Sequence, residues 1–286
     1  MTQRNRASGW KHAKLSGHTN EERVKELLDE NKEYRSELLE RINRSNDTVT
    51  RTSIGGLHET NVPGVLGKKT KSKTDLKIFC KGENTINVSI KKSLGGQVYF
   101  VRAGLFIEVY EKQFKEKIPV DVQRAIELFW ASADDALAII ERYGDKSDKK
   151  SYDLQIRHKS VNATTLRAYD QNLYDSMLSW FKEHAYELTK LAFTMGAAKD
   201  SEEWSEYVWY INLLGENDVD DIFYIEDICN AAKLHSDTET YYGDSNGGTT
   251  IQLPFGFVQW HQRQLQFHHS YEKICSLMDA EISKGI

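Results

Sequence analysis

The sequence predicts an α/β (α+β) protein with a mixed central sheet and a substantial helical region. Two short alternating segments, Asp75 to Cys80 and Thr85 to Lys92, flank Lys81-Gly82-Glu83-Asn84 and read as an antiparallel hairpin. Apolar residues recur at helical spacing from Val122 to Ile140, and again from Leu166 to Leu191. Strand-like segments return late, at Thr249 to Leu253, Phe255 to Trp260 and Leu265 to Tyr271. With 286 residues, 39% hydrophobic and 28% charged, the chain can bury a sizeable core.

In chain order, residues 1–18 read as an irregular basic arm. A helix is expected over 20–43: Thr19 or Asn20 can cap it, Glu21 and Glu22 suit its positive end, and Val24, Leu27, Leu28, Leu38 and Ile42 recur at helical spacing. Asn46 to Lys73 mixes β-branched residues with Gly55, Gly56, Pro63, Gly64 and Gly67, which predicts a short strand and a long loop. After the hairpin, Gln97 to Arg102 is a further strand, while Leu105 to Phe114 fits strand and helix equally poorly. Pro119 can open a long helix to about 143, and a second should run from about Thr165 to Met195, where Gly196 can terminate it. Ser201 to Leu214 and Ile222 to Leu234 are further helical candidates, and a short helix closes the chain. The divisions that follow are a basic arm (1–18), a core (19–116), a mainly helical region (117–240) and C-terminal strands with a helix (241–286), as two lobes or one body.

No stretch approaches the roughly 18 uninterrupted apolar residues of a membrane helix, and Met1 to Ala13 lacks the apolar run of a secretory signal, so a cytoplasmic location is expected. Cys80, Cys229 and Cys275 are too few and scattered for a disulfide scaffold, and no Cys-x-x-Cys pair suggests structural zinc. His261, His268 and His269 make a poor metal set, because alternation sends the adjacent pair to opposite faces. Net charge is −5, yet residues 1–100 hold 19 basic and 12 acidic side chains, which leaves −12 on residues 101–286. The richest basic run is Lys68, Lys69, Lys71 and Lys73, with Lys92 farther on. It suits a phosphate backbone or, as the alternative, a solvated loop.

The chemistry concentrates on the hairpin. Asp75 starts its first strand, and Asn87, Ser89 and Lys91 share one face of the second, as a period of two requires. An aspartate can hold Mg²⁺ near a phosphate, and a neighbouring lysine can orient water and offset developing charge. The alternative is a surface cross-strand ion pair. At the C-terminus, Gln259, Gln262, Arg263 and Gln264 are multidentate groups beside aromatics and could read base edges, or else line a solvated strand edge.

Thr74-Asp75 followed by Ser89-Ile90-Lys91 resembles the split acid and lysine motif of the PD-(D/E)xK nuclease superfamily, most closely type II restriction endonucleases. The likeness covers roughly residues 18–104. It implies a βαββ-like core and Mg²⁺-dependent hydrolysis of double-stranded DNA, with Asp75 as central metal ligand and Lys91 as the motif lysine. Ser89 stands where that family usually carries its second acid, and Thr74 stands in place of the proline. A second carboxylate must then come from another element. Glu21 is the first choice, since it shares a helical face with Val24 and Leu28 and Gly17 to Glu21 resembles members whose first helix supplies an acid; Glu108 is the other candidate. As an alternative, Glu21 merely complements the helix dipole. The lysine run, Ser89, Lys92 and the C-terminal Gln and Arg residues would contact DNA, and a palindromic site would imply a homodimer. Competing functions are a structure-specific repair or junction-resolving nuclease, and a non-enzymatic DNA-binding or phage structural protein.

Overall fold

The computed structural model describes residues 6–55, 61–82, 84–215, 217–236 and 248–283. These form a mixed α/β fold in which the chain divides into two compact units, 1–94 with 193–227 and 95–192 with 228–286. His58, in the glycine-bearing loop, lies outside the described residues.

The first unit opens with α1 (Arg6–Glu30) and α2 (Lys32–Arg41). The expected irregular arm is helical from Arg6 onward, and the expected single helix over 20–43 is broken at Asn31. Asn31 caps α2, its side chain accepting from the Tyr34 amide, while Asn20 lies within α1 and caps nothing. Then come β1 (Val49–Ile54), β2 (Asn61–Pro63), β3 (Lys69–Lys71), β4 (Leu76–Cys80) and β5 (Thr85–Lys91). After the second unit's first segment, the chain returns as a 3-10 turn at Ser201–Glu203, β7 (Tyr207–Ile211) and β8 (Asp220–Tyr224). The sheet order is β1-β4-β5-β7-β8, antiparallel except for the parallel pair β5 and β7.

This arrangement corrects two sequence expectations. Beyond the 3-10 turn at Ser201–Glu203, Ser201 to Leu214 is not helical: Tyr207-Val208-Trp209-Tyr210-Ile211 is a strand buried on both faces. Such a strand loses the alternation that identifies half-buried ones, and its continuous apolar run is equally compatible with a helix. Likewise Ile222 to Tyr224 belongs to β8, and α10 (Ile225–Leu234) begins only after it.

One face of the sheet presents Leu76, Ile78, Ile86, Val88, Ile90 and Trp209 to Val24, Leu28, Leu38 and Leu39 of the helices. Leu28 and Val24 are fully buried, and truncating such a leucine typically costs about 2–5 kcal/mol. Trp209 stacks on Tyr34, and both donate to the Asp220 carboxylate, Nε1 at 2.8 Å and the hydroxyl at 2.5 Å. That carboxyl is held below its usual range by these hydrogen bonds and by Arg41, against the opposing effect of burial. The opposite face is left for polar chemistry.

The second unit contains β6 (Gly95–Arg102), α3 (Ala103–Phe114), α4 (Val120–Phe129), α5 (Ala136–Tyr143), α6 (Lys149–His158), α7 (Ala163–Tyr169), α8 (Gln171–Glu183) and α9 (Ala185–Lys190), the last running into a π-helical turn at Leu191–Met195. It closes with β9 (Thr250–Leu253), β10 (Gly256–His261), β11 (Gln264–Ser270) and α11 (Tyr271–Ser283). The ambiguous Leu105 to Phe114 is helix α3, and the two long helices expected here are each divided. Asp170 makes one division by accepting from the amides of Asn172 and Leu173 at the head of α8. The strands form an antiparallel sheet ordered β6-β11-β10-β9. Its inner face packs through Phe267 onto Phe106, and aromatic contacts continue between Tyr110 and Trp180 and between Trp130 and Phe181.

Candidate active site

Register fixes the geometry of the first unit's polar face. Lys77 pairs with Asn87 and Leu76 with Val88, so the next rung sets Asp75 against Ser89. The Asp75 amide donates to the Val88 carbonyl at 2.9 Å, and its own carbonyl accepts from Gly55 at 2.9 Å. A Cβ on Gly55 would lie 2.3 Å from the Thr74 carbonyl oxygen, so only glycine lets β1 approach this closely. From the other side, Ser205 Oγ donates to the Lys73 carbonyl at 2.8 Å and Thr74 Oγ1 donates to the Glu203 carbonyl at 3.3 Å. The backbone on which Asp75 stands is therefore held from both flanks.

Asp75 Oδ2 accepts from Ser89 Oγ at 3.0 Å and from the Ile90 amide at 2.8 Å. Lys91 Nζ lies 3.7 Å from the same oxygen and donates to Ser89 Oγ at 2.5 Å. Ser89 thus links aspartate to lysine. Asp75 and Lys91 remain partly accessible, at 26% and 16% of their side-chain surface.

Glu21 reaches this cluster from α1. The anchor is its neighbour Asn20, fully buried, whose amide donates to the Ile211 carbonyl at 2.9 Å and accepts from the Leu213 amide at 2.8 Å, pinning the helix to the end of β7. Burial and the nearby Asp75 charge push the Glu21 carboxyl up to about 7, against the opposing pull of His18 and Lys91. His18 Nδ1 is 3.2 Å from its Oε2. Lys73 joins from the segment before β4: burial and the neighbouring Lys91 bring its ammonium down to about 7, while Asp75 pulls the other way. Two carboxylates and two lysines therefore act on one another across one end of the sheet.

The other residues singled out in the sequence are dispersed. Glu108 stands on the exposed face of α3 in the second unit. Lys69 and Lys71 are exposed on β3 and Lys68 in the turn before it, while Lys92 follows β5 and its carbonyl accepts from Asn217 Nδ2 at 3.2 Å. Gln259 and Gln264 lie on β10 and β11, and Gln262 and Arg263 form the turn between them. Cys80 and Cys229 are buried and Cys275 is partly buried.

Sequence reasoning missed the roles of Asn20 and His18, and it placed Lys73 only among the DNA-contacting lysines. A signal existed for Lys73, two residues before Asp75 and hence on the same face of an extended chain. Asn20 offered none, since an asparagine ahead of two glutamates reads as a helix cap.

Farther along the same face, a groove of about 540 Å³ is lined by Lys77, Asn87, Glu202, Trp204 and Glu206. Lys77 Nζ is already held by Glu203 at 2.9 Å, so the groove's remaining acids make it unsuited to phosphate.

Among the described residues no group of three or more His, Cys, Asp or Glu side chains could by itself hold a metal ion. The donors present do fit a hard divalent cation that keeps most of its waters: two carboxylates, whose mutual repulsion a cation would relieve, beside lysines that would face an anionic substrate. No described helix is long and apolar enough to cross a membrane.

No protein-family model matches the chain. No curated protein matches it either. Among solved structures it is similar to the restriction endonuclease MspI in complex with its cognate DNA, over 83% of this chain and 77% of that one, at 11% identity and a TM-score of 0.41.

Proposed function

We propose that this protein is a Mg²⁺-dependent endonuclease that hydrolyses phosphodiester bonds in double-stranded DNA at a specific sequence, in the manner of a type II restriction enzyme. The observation that carries the reading is the convergence of Asp75, Lys91 and Glu21, from two strands and a helix, at one end of the first unit's sheet. Their residue types and spacing, Thr74-Asp75 with Ser89-Ile90-Lys91, add the motif resemblance.

In this reading Asp75 and Glu21 would hold the cation, which when bound would offset charge on the phosphoryl oxygens and lower the cost of ionising water. Lys91, tied to Ser89, orients the attacking water toward phosphorus and offsets the charge that accumulates there. Asp75 keeps the Lys91 ammonium in place by attraction across 3.7 Å. Lys73, brought down to about 7 by burial and Lys91, adds a second positive charge once the anionic phosphate beside it favours its protonated form. Attack breaks the bond from phosphorus to the 3′ oxygen, which leaves with a proton as a 3′ hydroxyl and leaves the phosphate on the 5′ end. The exposed Lys68, Lys69 and Lys71 suit backbone contacts that position the duplex without reading it.

The test is incubation with a long DNA of known sequence in Mg²⁺ and in chelator, with fragment ends mapped, beside mismatched duplexes and four-way junctions. Discrete fragments with 5′ phosphates at one recurring sequence, only in Mg²⁺, are expected. Cutting confined to junctions or mismatches would redirect the reading to a repair enzyme, and no metal-dependent cutting of any substrate would end it.

A further inference from the structure

The sheet of the second unit carries a feature that phosphodiester chemistry does not use. Its strands and turns over 95–102 and 250–270 contain no aspartate or glutamate, although residues 101–286 as a whole carry a net charge of −12. The inner face is filled by apolar side chains, including Leu265, Phe267 and Val258. The outer face instead bears a connected row of amides. Gln259 Nε2 donates to Gln266 Oε1 at 3.2 Å and lies 3.2 Å from His268 Nε2, and Gln266 Nε2 donates in turn to Gln97 Oε1. His268 stacks on Phe257 with ring centroids 4.6 Å apart, and Phe100, opposite Gln266, is 53% exposed.

The tip of the β10–β11 hairpin adds a second, independent observation. His261 pairs with Gln264, so the turn is the two residues Gln262 and Arg263, with φ of 51° and 62°. A two-residue turn with both φ positive strongly prefers Asn-Gly, and long side chains there are strained. Local strain of this kind collects where particular side chains are needed. Arg102 ends β6 directly opposite Gln264, so two exposed arginines, Arg102 and Arg263, stand at this end of the sheet.

We infer that the outer face and hairpin tip of this sheet are the surface that reads base edges in duplex DNA, with Gln259, Gln266 and Arg263 as its principal specificity residues. Absence of carboxylates on this face of an acidic region complements a polyanion. Glutamine matches adenine and arginine matches guanine in the major groove, and the hydrogen-bonded row holds its amides in fixed orientation before binding. The inference rests on the nuclease reading only for its choice of DNA as partner.

The experiment is selection of bound sequences from a library of randomised duplexes by the full chain in Ca²⁺, followed by end mapping of cleavage in Mg²⁺. It compares wild type with Gln262→Asn/Arg263→Gly and with Gln266→Ala. Wild type should enrich one sequence. The turn variant, which installs the preferred pair, should melt no lower than wild type yet lose about tenfold or more of its discrimination. Gln266→Ala should relax preference at a subset of positions. Unchanged sequence preference in both variants would overturn the inference while leaving a cleaving enzyme intact, as would selection that enriches nothing while single strands bind equally well. Selective binding lost in the variants, with no cleavage by wild type, would uphold this surface and refute the nuclease.

Discussion

The two sheets of this protein solve opposite electrostatic problems. In the first unit, Glu21 and Asp75 are brought near each other with Lys73 and Lys91 between strands and helix, and burial pushes Glu21 and Lys73 toward their neutral forms. In the second, the strands exclude carboxylates and array amides along one face beside the His268 imidazole, which burial holds below its usual range. Acids with perturbed titration suit bond-breaking, whereas neutral donors and acceptors in fixed geometry suit recognition without costly desolvation of charge. On the proposed function, reaction and reading fall to separate sheets, so lesions in one should leave the other's property measurable.

The largest separation is expected for Asp75→Asn. It keeps the size of the side chain and removes the charge, so cleavage should fall by on the order of 10³-fold or more, while sequence-selective binding in Ca²⁺ persists. Loss of both properties together would show that the two sheets do not act separately.

Next in size is a pH effect confined to the first unit. Because the Glu21 carboxyl is raised from 4.5 to about 7 in the folded protein, its contribution to stability is fully present below pH 4.5 and is lost as pH rises through about 7. The loss is on the order of 3 kcal/mol. Urea midpoints at pH 5 and pH 8 should therefore differ more for wild type than for Glu21→Gln, and Mg²⁺ should narrow the wild-type difference. Parallel pH profiles for the two proteins would mean that neither burial nor the Asp75 charge raises the Glu21 carboxyl.

Asn20→Ala should cost about 2 kcal/mol by leaving a buried carbonyl and amide at the end of β7 without partners. Hydrogen exchange should rise first in β7, with β10 and β11 unaffected at early times. The smallest effect is Asp170→Ala, which removes the cap of α8 and should lower stability by about 1 kcal/mol without changing cleavage per folded molecule.

Much of this architecture was legible in the residues. The hairpin of β4 and β5 announces itself because one face is buried and the other is not, and alternation alone sets Asp75, Ser89 and Lys91 on a common face. The spacing of Glu21 with Val24 and Leu28 likewise directs that acid toward the sheet, where both apolar partners are fully buried. Central strand β7 was unreadable for the converse reason, since burial on both sides erases periodicity. Helix α1 extends through a basic segment with no apolar stripe to reveal it. Lys73 was hidden within a run of exposed lysines, from which only its distance in sequence to Asp75 distinguishes it. The amide row was invisible as a unit because Gln97 lies far in sequence from Gln259 and Gln266, and only sheet pairing unites them.

The most direct test of the central claim is single-turnover cleavage of a cognate duplex by Lys91→Ala in Mg²⁺, with binding measured on the same preparation. The account expects folded protein that binds the duplex to within a few-fold of wild type and makes no discrete cuts. Cleavage at the wild-type rate would contradict it.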